Sequence, residues 1–329
     1  MLCTMIRLSS GTAIELGLLN KRSDIPPTTA YIMIGESCTN KCSFCSQSIE
    51  SNTRKDKLSR VVWPQYSKED ILDSLLNYKK QNIRRICIQS TASKEAYQTV
   101  EEFLLYIKDK TNMPISLSAK LESSEDIDRF LCMGVDRVGI AIDAANKKLY
   151  EEIKGNNFEG KIEFIVSSAK KYPGKISTHI IVGLGESHKD IYNLYSYLKG
   201  NNVTISLFAF TPVRGTKMEN VNQPEIESYR RVQLMTYMID KGYKEEYFRF
   251  DDEYLEEIKL DSRIIEDIEK GYPFEIRGCK DCNRPYYNER PGSTIYNYSR
   301  RLTNEDIDLA KEEINLNTGG ALLCNDGGL

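Results

Sequence analysis

The sequence predicts an α/β protein built from repeated strand and helix units, and three observations carry that expectation. Apolar, β-branched runs recur at intervals of roughly 25 to 50 residues, the rhythm of strands separated by helices rather than of a sandwich. Between them lie segments of helical periodicity with readable starts. At 329 residues the chain is also long enough to form an α/β barrel as one domain. Strands separated by helices run parallel. Six core units, closed or nearly closed to eight, give a TIM-like (β/α) barrel whose active site lies at the C-terminal strand ends.

The six core strands are expected at Tyr31 to Ile34, Arg85 to Ile88, Ile115 to Ala119, Val138 to Ile142, Ile176 to Val182 and Ile205 to Phe210. Tyr247 to Phe250 and Pro273 to Ile276 are weaker candidates for a seventh and an eighth. Among the helices, Ser67 to Asp70 has capping-box spacing ahead of the stripe Ile71, Leu72, Leu75 and Leu76. Ser124 precedes Glu125 and Asp126, Pro224 suits a first helical turn, and Thr303 to Asp306 repeats the capping pattern. Residues 1–30 read as an N-terminal extension, 31–278 as the barrel, and 279–329 as a turn-rich C-terminal segment.

The charge is nearly balanced, with 45 Lys and Arg against 48 Asp and Glu, so no basic field points to nucleic acid. No apolar run approaches a membrane span, and the N-terminus lacks the layout of a signal peptide. The expectation is a cytoplasmic protein with neither nucleic acid nor membrane as partner. In that setting nine cysteines point to metal or redox chemistry rather than to disulfides.

The cysteines that matter first are Cys38-Thr-Asn-Lys-Cys42-Ser-Phe-Cys45, spaced C-x3-C-x2-C directly after the first core strand. Three thiolates on one tight loop can hold three irons of a 4Fe-4S cluster and leave the fourth open to a small ligand. A zinc knuckle also uses short cysteine spacings, but it normally needs a fourth Cys or His nearby, and the nearest His is His179. The spacing, with Phe44 before the last cysteine, resembles the signature of the radical S-adenosylmethionine (SAM) superfamily. That resemblance implies that the open iron binds the amino and carboxylate groups of S-adenosyl-L-methionine. The reduced cluster then cleaves it to a 5'-deoxyadenosyl radical.

The resemblance extends further along the chain. Ile180-Ile-Val-Gly-Leu-Gly-Glu186 is similar to a G-L-G-E turn of the biotin synthase and lipoyl synthase branches. There Gly183 and Glu186 would belong to the wall of the SAM pocket, with glycine admitting close approach of adenine. Thr211-Pro-Val-Arg-Gly-Thr216 resembles the P-x-x-G-T turn of the same branch. By the same likeness Gln89 and Ser90, ending the second core strand, meet the methionyl amine, and Asp143, ending the fourth, meets the ribose. Each of these reads equally well as a polar cap on a strand or helix. His179 and His188 read as a strand-end and a helix-start residue rather than a ligand pair, with His179 facing the barrel mouth.

Departures from that pattern are as informative. Biotin synthase carries a 2Fe-2S sulfur donor on cysteines from three barrel strands, whereas here only Cys87 falls on such a position. Cys87 and Cys132 therefore read as small buried apolar residues. Cys279-x2-Cys282 and Cys324 instead offer ligands for an auxiliary 4Fe-4S cluster, with Cys3 competing as the third; a structural zinc site or a frayed terminus is the plainer alternative.

The run Cys279-Lys-Asp-Cys282-Asn-Arg-Pro-Tyr-Tyr-Asn-Glu-Arg-Pro-Gly292 resembles the C-terminal signature of archaeal biotin-synthase-like proteins that act, as two components, as lipoyl synthases. This implies sulfur insertion into an octanoyl chain on a carrier protein of the lipoyl-domain or glycine-cleavage H-protein type. A second radical SAM component and a donor such as ferredoxin or flavodoxin would take part. Biotin synthase, or another sulfur- or carbon-transfer enzyme, is the alternative within the branch. A non-catalytic Fe-S or zinc protein is the alternative of another class.

Overall fold

The computed structural model describes residues 5–36, 38–285 and 292–315. Its strands are β1 (Ile6–Leu8), β2 (Thr29–Ile34), β3 (Lys57–Leu58), β4 (Val61–Val62), β5 (Gln65–Tyr66), β6 (Arg85–Ser90), β7 (Ile115–Ser118), β8 (Val135–Gly139), β9 (Ile176–Val182), β10 (Thr204–Ala209), β11 (Phe248–Asp251) and β12 (Tyr254–Ile258). The helices are α1 (Ser10–Glu15), α2 (Lys68–Leu76), α3 (Lys94–Ile107), α4 (Ser124–Cys132), α5 (Lys147–Ile153), α6 (Phe158–Lys171), α7 (His188–Gly200), α8 (Ile226–Asp240), α9 (Ser262–Glu269) and α10 (Asn304–Glu313).

Eight strands form one sheet in the order β10-β9-β8-β7-β6-β2-β1-β5. From β2 to β10 every neighbouring pair is parallel, as the six expected core units require. The count of eight is completed differently from the expectation. β1 pairs antiparallel with β2, and β5 antiparallel with β1, so residues 6–8, expected in an extension, belong to the barrel sheet. The proposed seventh strand instead turns back on itself as the hairpin β11-β12, and the proposed eighth is a short 3-10 turn with one bridge from Glu275 to Tyr298. Both segments were too short of apolar residues to be buried on two faces, which a parallel strand demands.

The helix starts follow side-chain capping. Ser67, Ser93, Asn146 and Asp261 each accept a hydrogen bond from the amide three residues on, and Ser123, Ser187 and Thr303 form complete capping boxes with Asp126, Asp190 and Asp306. Two starts differ from the sequence reading. Ser123 rather than Ser124 is the cap of α4, and Pro224 precedes the cap Glu225 of α8 rather than lying in its first turn.

Alternation along the strands sends side chains to two different environments. Ile32, Ile34, Ile86, Ile88, Leu117 and Val138 pack outward with Val100, Phe103 and Leu104 of the surrounding helices into the main core. Tyr31, Met33 and Cys87 face the other way, where Trp63 and part of the β3-β4 hairpin cover them. This second face is the barrel lumen. Its lining is markedly more polar, including Arg85 bonded to Ser116 and Arg137 bonded to Thr204. Among the described residues no helix is long and apolar enough to cross a membrane.

Candidate active site

Cys38, Cys42 and Cys45 lie on the loop that leaves the C-terminal end of β2. The loop is fixed by backbone contacts to the neighbouring units: Thr39 N donates to Ala92 O after β6, and Ser43 N to Ile153 O at the end of α5. Within it, Cys45 N donates to Cys42 O and Gln47 N to Cys45 Sγ at 3.4 Å. Gln47 is held in turn by the fully buried Arg7 of β1, whose Nη2 reaches Gln47 Oε1 at 3.2 Å and also Gly35 O. Arg7 was not singled out in the sequence, since nothing local to it announces a partner 40 residues away.

The expected P-x-x-G-T turn closes the far side of this loop. Asn52 N donates to Gly215 O at 2.8 Å, and Thr53 Oγ1 to Arg214 O at 2.9 Å. Gly215 has φ +91°, and a Cβ there would stand 2.8 Å from Thr53 N, so only glycine allows the approach. In the G-L-G-E turn, Glu186 spends both carboxylate oxygens on its own turn, accepting from Gly183 N at 2.6 Å and Leu184 N at 2.9 Å. The absent Cβ of Gly183 (φ +100°) faces Pro224 at 2.7 Å, so the glycine answers a packing demand rather than an open ligand surface.

A cavity of about 490 Å³ opens beside the cysteines. Cys38, Cys42, Ser90, Lys120, Tyr150 and Lys154 are among its lining. That volume lies within the range of small-molecule sites. Gln89 and Ser90 end β6 at this mouth, half-buried, while Phe44 packs against the main core.

Asp143, expected near the ribose, is already engaged. Its φ is +63°, and the carboxylate meets Lys154 Nζ on one side and His179 Nε2 at 2.5 Å on the other. Burial opposes the charge, yet Lys154 and then His179 hold the Asp143 carboxyl well below the usual carboxylate range. Burial works against the Lys154 ammonium as well, and the Asp143 carboxylate raises it above its ordinary value. His179 also stacks edge-on against Phe208 with ring centroids 5.2 Å apart. Lys154 is the functional candidate that sequence reading missed; it follows a helix end, where a lysine is unremarkable.

Burial favours the protonated form of two of the three thiols. Burial pushes Cys42 up to about 12, with Lys154 pulling the other way, and pushes Cys45 up to about 11, with the Gln47 amide opposing. Both also feel Cys38, so the three groups face a common space. Protonated thiols exchange their protons for iron on binding, which makes metal loading pH-dependent. Among the described residues no three His, Cys, Asp or Glu side chains converge on a single ion position.

At the opposite, N-terminal end of the strands, the segment carrying Cys279 and Cys282 folds under the barrel. Arg85 Nε donates to Lys280 O, and both Thr28 Oγ1 and Thr29 Oγ1 donate to Asp281 O. Cys282 Sγ lies 3.6 Å from Tyr31 Oη, and it packs in the lumen with Cys87. Cys87, expected as a small buried apolar residue, is half-buried and packs on the Tyr31, Met33 and Trp63 cluster, whereas Cys132 is exposed rather than buried. Cys3 and Cys324 lie outside the described residues.

A family model described as the radical SAM superfamily matches residues 32–198, which begin in β2 and end in α7. The chain belongs to the radical SAM superfamily. The curated biotin synthase of Methanococcus vannielii is 27% identical over 202 residues, 60% of this chain and 60% of that protein. A Methanocaldococcus jannaschii protein, described only as uncharacterized, is 27% identical over 55% of this chain and 48% of its own length. The chain thus spans about half to three-fifths of these relatives. Among solved structures, methylornithine synthase superposes with a TM-score of 0.53 at 15% identity, covering 70% of this chain and 66% of that one. The FeFe-hydrogenase maturase HydG gives 0.54 at 9%, covering 73% and 54%. These likenesses concern the fold.

Proposed function

We propose that this radical SAM enzyme inserts sulfur into unactivated C–H bonds of an octanoyl chain carried on a protein lysine. The observation that carries the reading is that cysteines reach both ends of one lumen. Cys38, Cys42 and Cys45 stand at its C-terminal mouth, and Cys279 and Cys282 at its N-terminal end. Radical attack on an alkyl carbon needs the oxidant at one end of an enclosed space and a sulfur source within reach of the same carbon.

Cys38, Cys42 and Cys45 would hold the catalytic 4Fe-4S cluster, which supplies the electron that cleaves SAM. The adjoining cavity would take SAM, with Ser90, Lys120 and Tyr150 as polar walls. Lys154 and His179 keep Asp143 ionised at the lumen wall, which fixes charge there without exposing it to water. Trp63 and the β3-β4 hairpin close the lumen beside Tyr31 and Met33, excluding solvent from a reacting carbon. An octanoylated carrier, a second radical SAM component, and an electron donor of the ferredoxin or flavodoxin type would complete the system.

The second reading is biotin synthase, favoured by the name of the Methanococcus vannielii relative. One experiment separates them. Reconstituted, reduced protein is given SAM with either a deuterated octanoyl carrier or deuterated dethiobiotin. Deuterium should enter 5'-deoxyadenosine from the octanoyl chain and not from dethiobiotin; the reverse result replaces the proposal with the second reading.

A further inference from the structure

Arg7 and Arg230 are both buried completely, and the fold treats them differently. Arg230 pairs with Glu313 at 2.8 Å and bonds Gln233 and the carbonyl oxygens of Ile295 and Tyr296. Arg7 has no carboxylate partner among the described residues. Only its Nη2 is bonded, to Gly35 O and to Gln47 Oε1 at 3.2 Å, while Nε and Nη1 have no hydrogen-bond partner. Burial lowers Arg7 to about 10, with Asp56 and then Glu36 opposing through space, so the group is still a cation at neutral pH. A buried cation without a paired anion is strongly unfavourable, and the surroundings of Arg7 therefore suit a negatively charged group.

The strand register says where that group belongs. Arg7 stands on β1 opposite Met33 of β2 and Gln65 of β5, and residues opposed in an antiparallel pair share a face. Its neighbours Ile6 and Leu8 pack into the main core, so Arg7 is on the lumen face with Met33.

Gln47 carries the contact on to the cysteines. Its Nε2 donates to Lys55 O at 3.2 Å and to Lys57 O at 2.6 Å, which orients the amide so that Oε1 faces Arg7. Its backbone N donates to Cys45 Sγ at 3.4 Å. Burial disfavours the Cys45 thiolate, and this amide opposes the burial. A single residue thus links the guanidinium to a ligand sulfur. Gln47 is 4% exposed, so water screens the charge poorly along that path.

The superfamily's cluster fits such a neighbour. Three thiolates outweigh the positive charge of the iron–sulfur core, and the negative charge grows on reduction. Net charge and hydrogen bonds to the sulfurs are among the factors that set a cluster's potential. We propose that Arg7 is a positioning residue for the cluster on Cys38, Cys42 and Cys45: it aims the Gln47 amide at Cys45, and its unpaired charge raises the potential at which the cluster accepts an electron. The step is the transfer of one electron from the external donor to the oxidised cluster. Arg7 alters the equilibrium of that transfer and not its stoichiometry. The role needs only the superfamily's cluster and is independent of the sulfur insertion proposed above.

The test uses reconstituted full-length protein in an electrochemical titration. Paramagnetic resonance follows the signal that changes when SAM is added, which marks this cluster. At a fixed applied potential Arg7→Gln should lower the reduced-to-oxidised ratio about tenfold, a shift of ~59 mV to lower potential for one electron. Arg7→Lys, which keeps the charge, should recover most of that shift. Gln47→Glu separates charge from architecture, because it sets a carboxylate against Arg7. The metal-free Gln47→Glu protein should resist urea at least as well as the parent, yet its cluster should fall in potential as that of Arg7→Gln does. If Arg7→Gln fails to hold iron, Gln47→Glu decides alone. Potentials that stay at the parent value in the variants that hold iron, or an equal fall in Arg7→Lys and Arg7→Gln, overturn the assignment. No carrier or acyl substrate enters the measurement, so these shifts in a protein that inserts no sulfur would reject only the function proposed above.

Discussion

Asp143 shows how much of the site is decided by single side chains. Its carboxylate balances the buried Lys154 ammonium, and removal of one member of such a pair leaves the other without compensation. Asp143→Asn should therefore destabilise the metal-free protein by about 3–5 kcal/mol, read from urea unfolding. Asp143→Asn combined with Lys154→Met should recover part of the loss. If the single and double variants unfold alike, the pair is not coupled as described. At this scale the sequence was most legible where chemistry needs neighbours in the chain. Cys38, Cys42 and Cys45 announce themselves by spacing. Lys154 and Arg7 do not, because their partners lie in other elements and only the folded sheet brings them together.

Arg7 belongs equally to the scale of elements, since it ties β1 to the cysteine loop. A buried hydrogen bond from a charged donor contributes about 1.5–3 kcal/mol. Arg7→Met should then raise amide hydrogen exchange of residues 45–48 by at least ~10-fold, with β9 and β10 unaffected. Uniform acceleration across the protein would mean that Arg7 supports the whole fold and not this loop.

The β11-β12 hairpin, expected as a barrel strand, docks on α7 through His188. Leu255 N donates to His188 Nδ1 at 3.0 Å, and Nε2 lies 2.7 Å from Ser228 Oγ, so the ring is neutral in the fold. Burial, and then Arg231, lower His188 from 6.5 to about 4. The unfolded chain thus binds a proton more readily between these values, and stability from His188 is complete above pH 6.5 and is lost as pH falls towards 4. Between pH 7.5 and pH 5 the protein should lose about 2 kcal/mol more than His188→Gln does. Equal losses in chemical denaturation would show that His188 is not buried neutral. The hairpin was illegible in the sequence because Phe248 and Phe250 alternate as a strand does. Which sheet a strand joins depends on a partner that periodicity does not name.

Over the whole molecule, the six parallel units could be read from the rhythm of apolar runs, because each strand buries its outward face against the surrounding helices. The antiparallel addition of β1 and β5 could not, since three- and two-residue strands carry almost no periodic signal. The two-ended lumen was hidden for a related reason. The C-x2-C turn is about 190 residues from β6, and its place beneath the barrel rests on side-chain bonds to Thr28, Thr29 and Arg85. The consequence is a barrel with cysteines at both ends of its strands.

The most direct test of the proposed sulfur insertion is anaerobic turnover of an octanoylated carrier by the reconstituted enzyme, with and without a second radical SAM component, read by mass spectrometry of the intact carrier. The account predicts a carrier heavier by one or two sulfur atoms, with 5'-deoxyadenosine formed alongside. Cleavage of SAM with the carrier mass unchanged under both conditions, and dethiobiotin converted in its place, would contradict it.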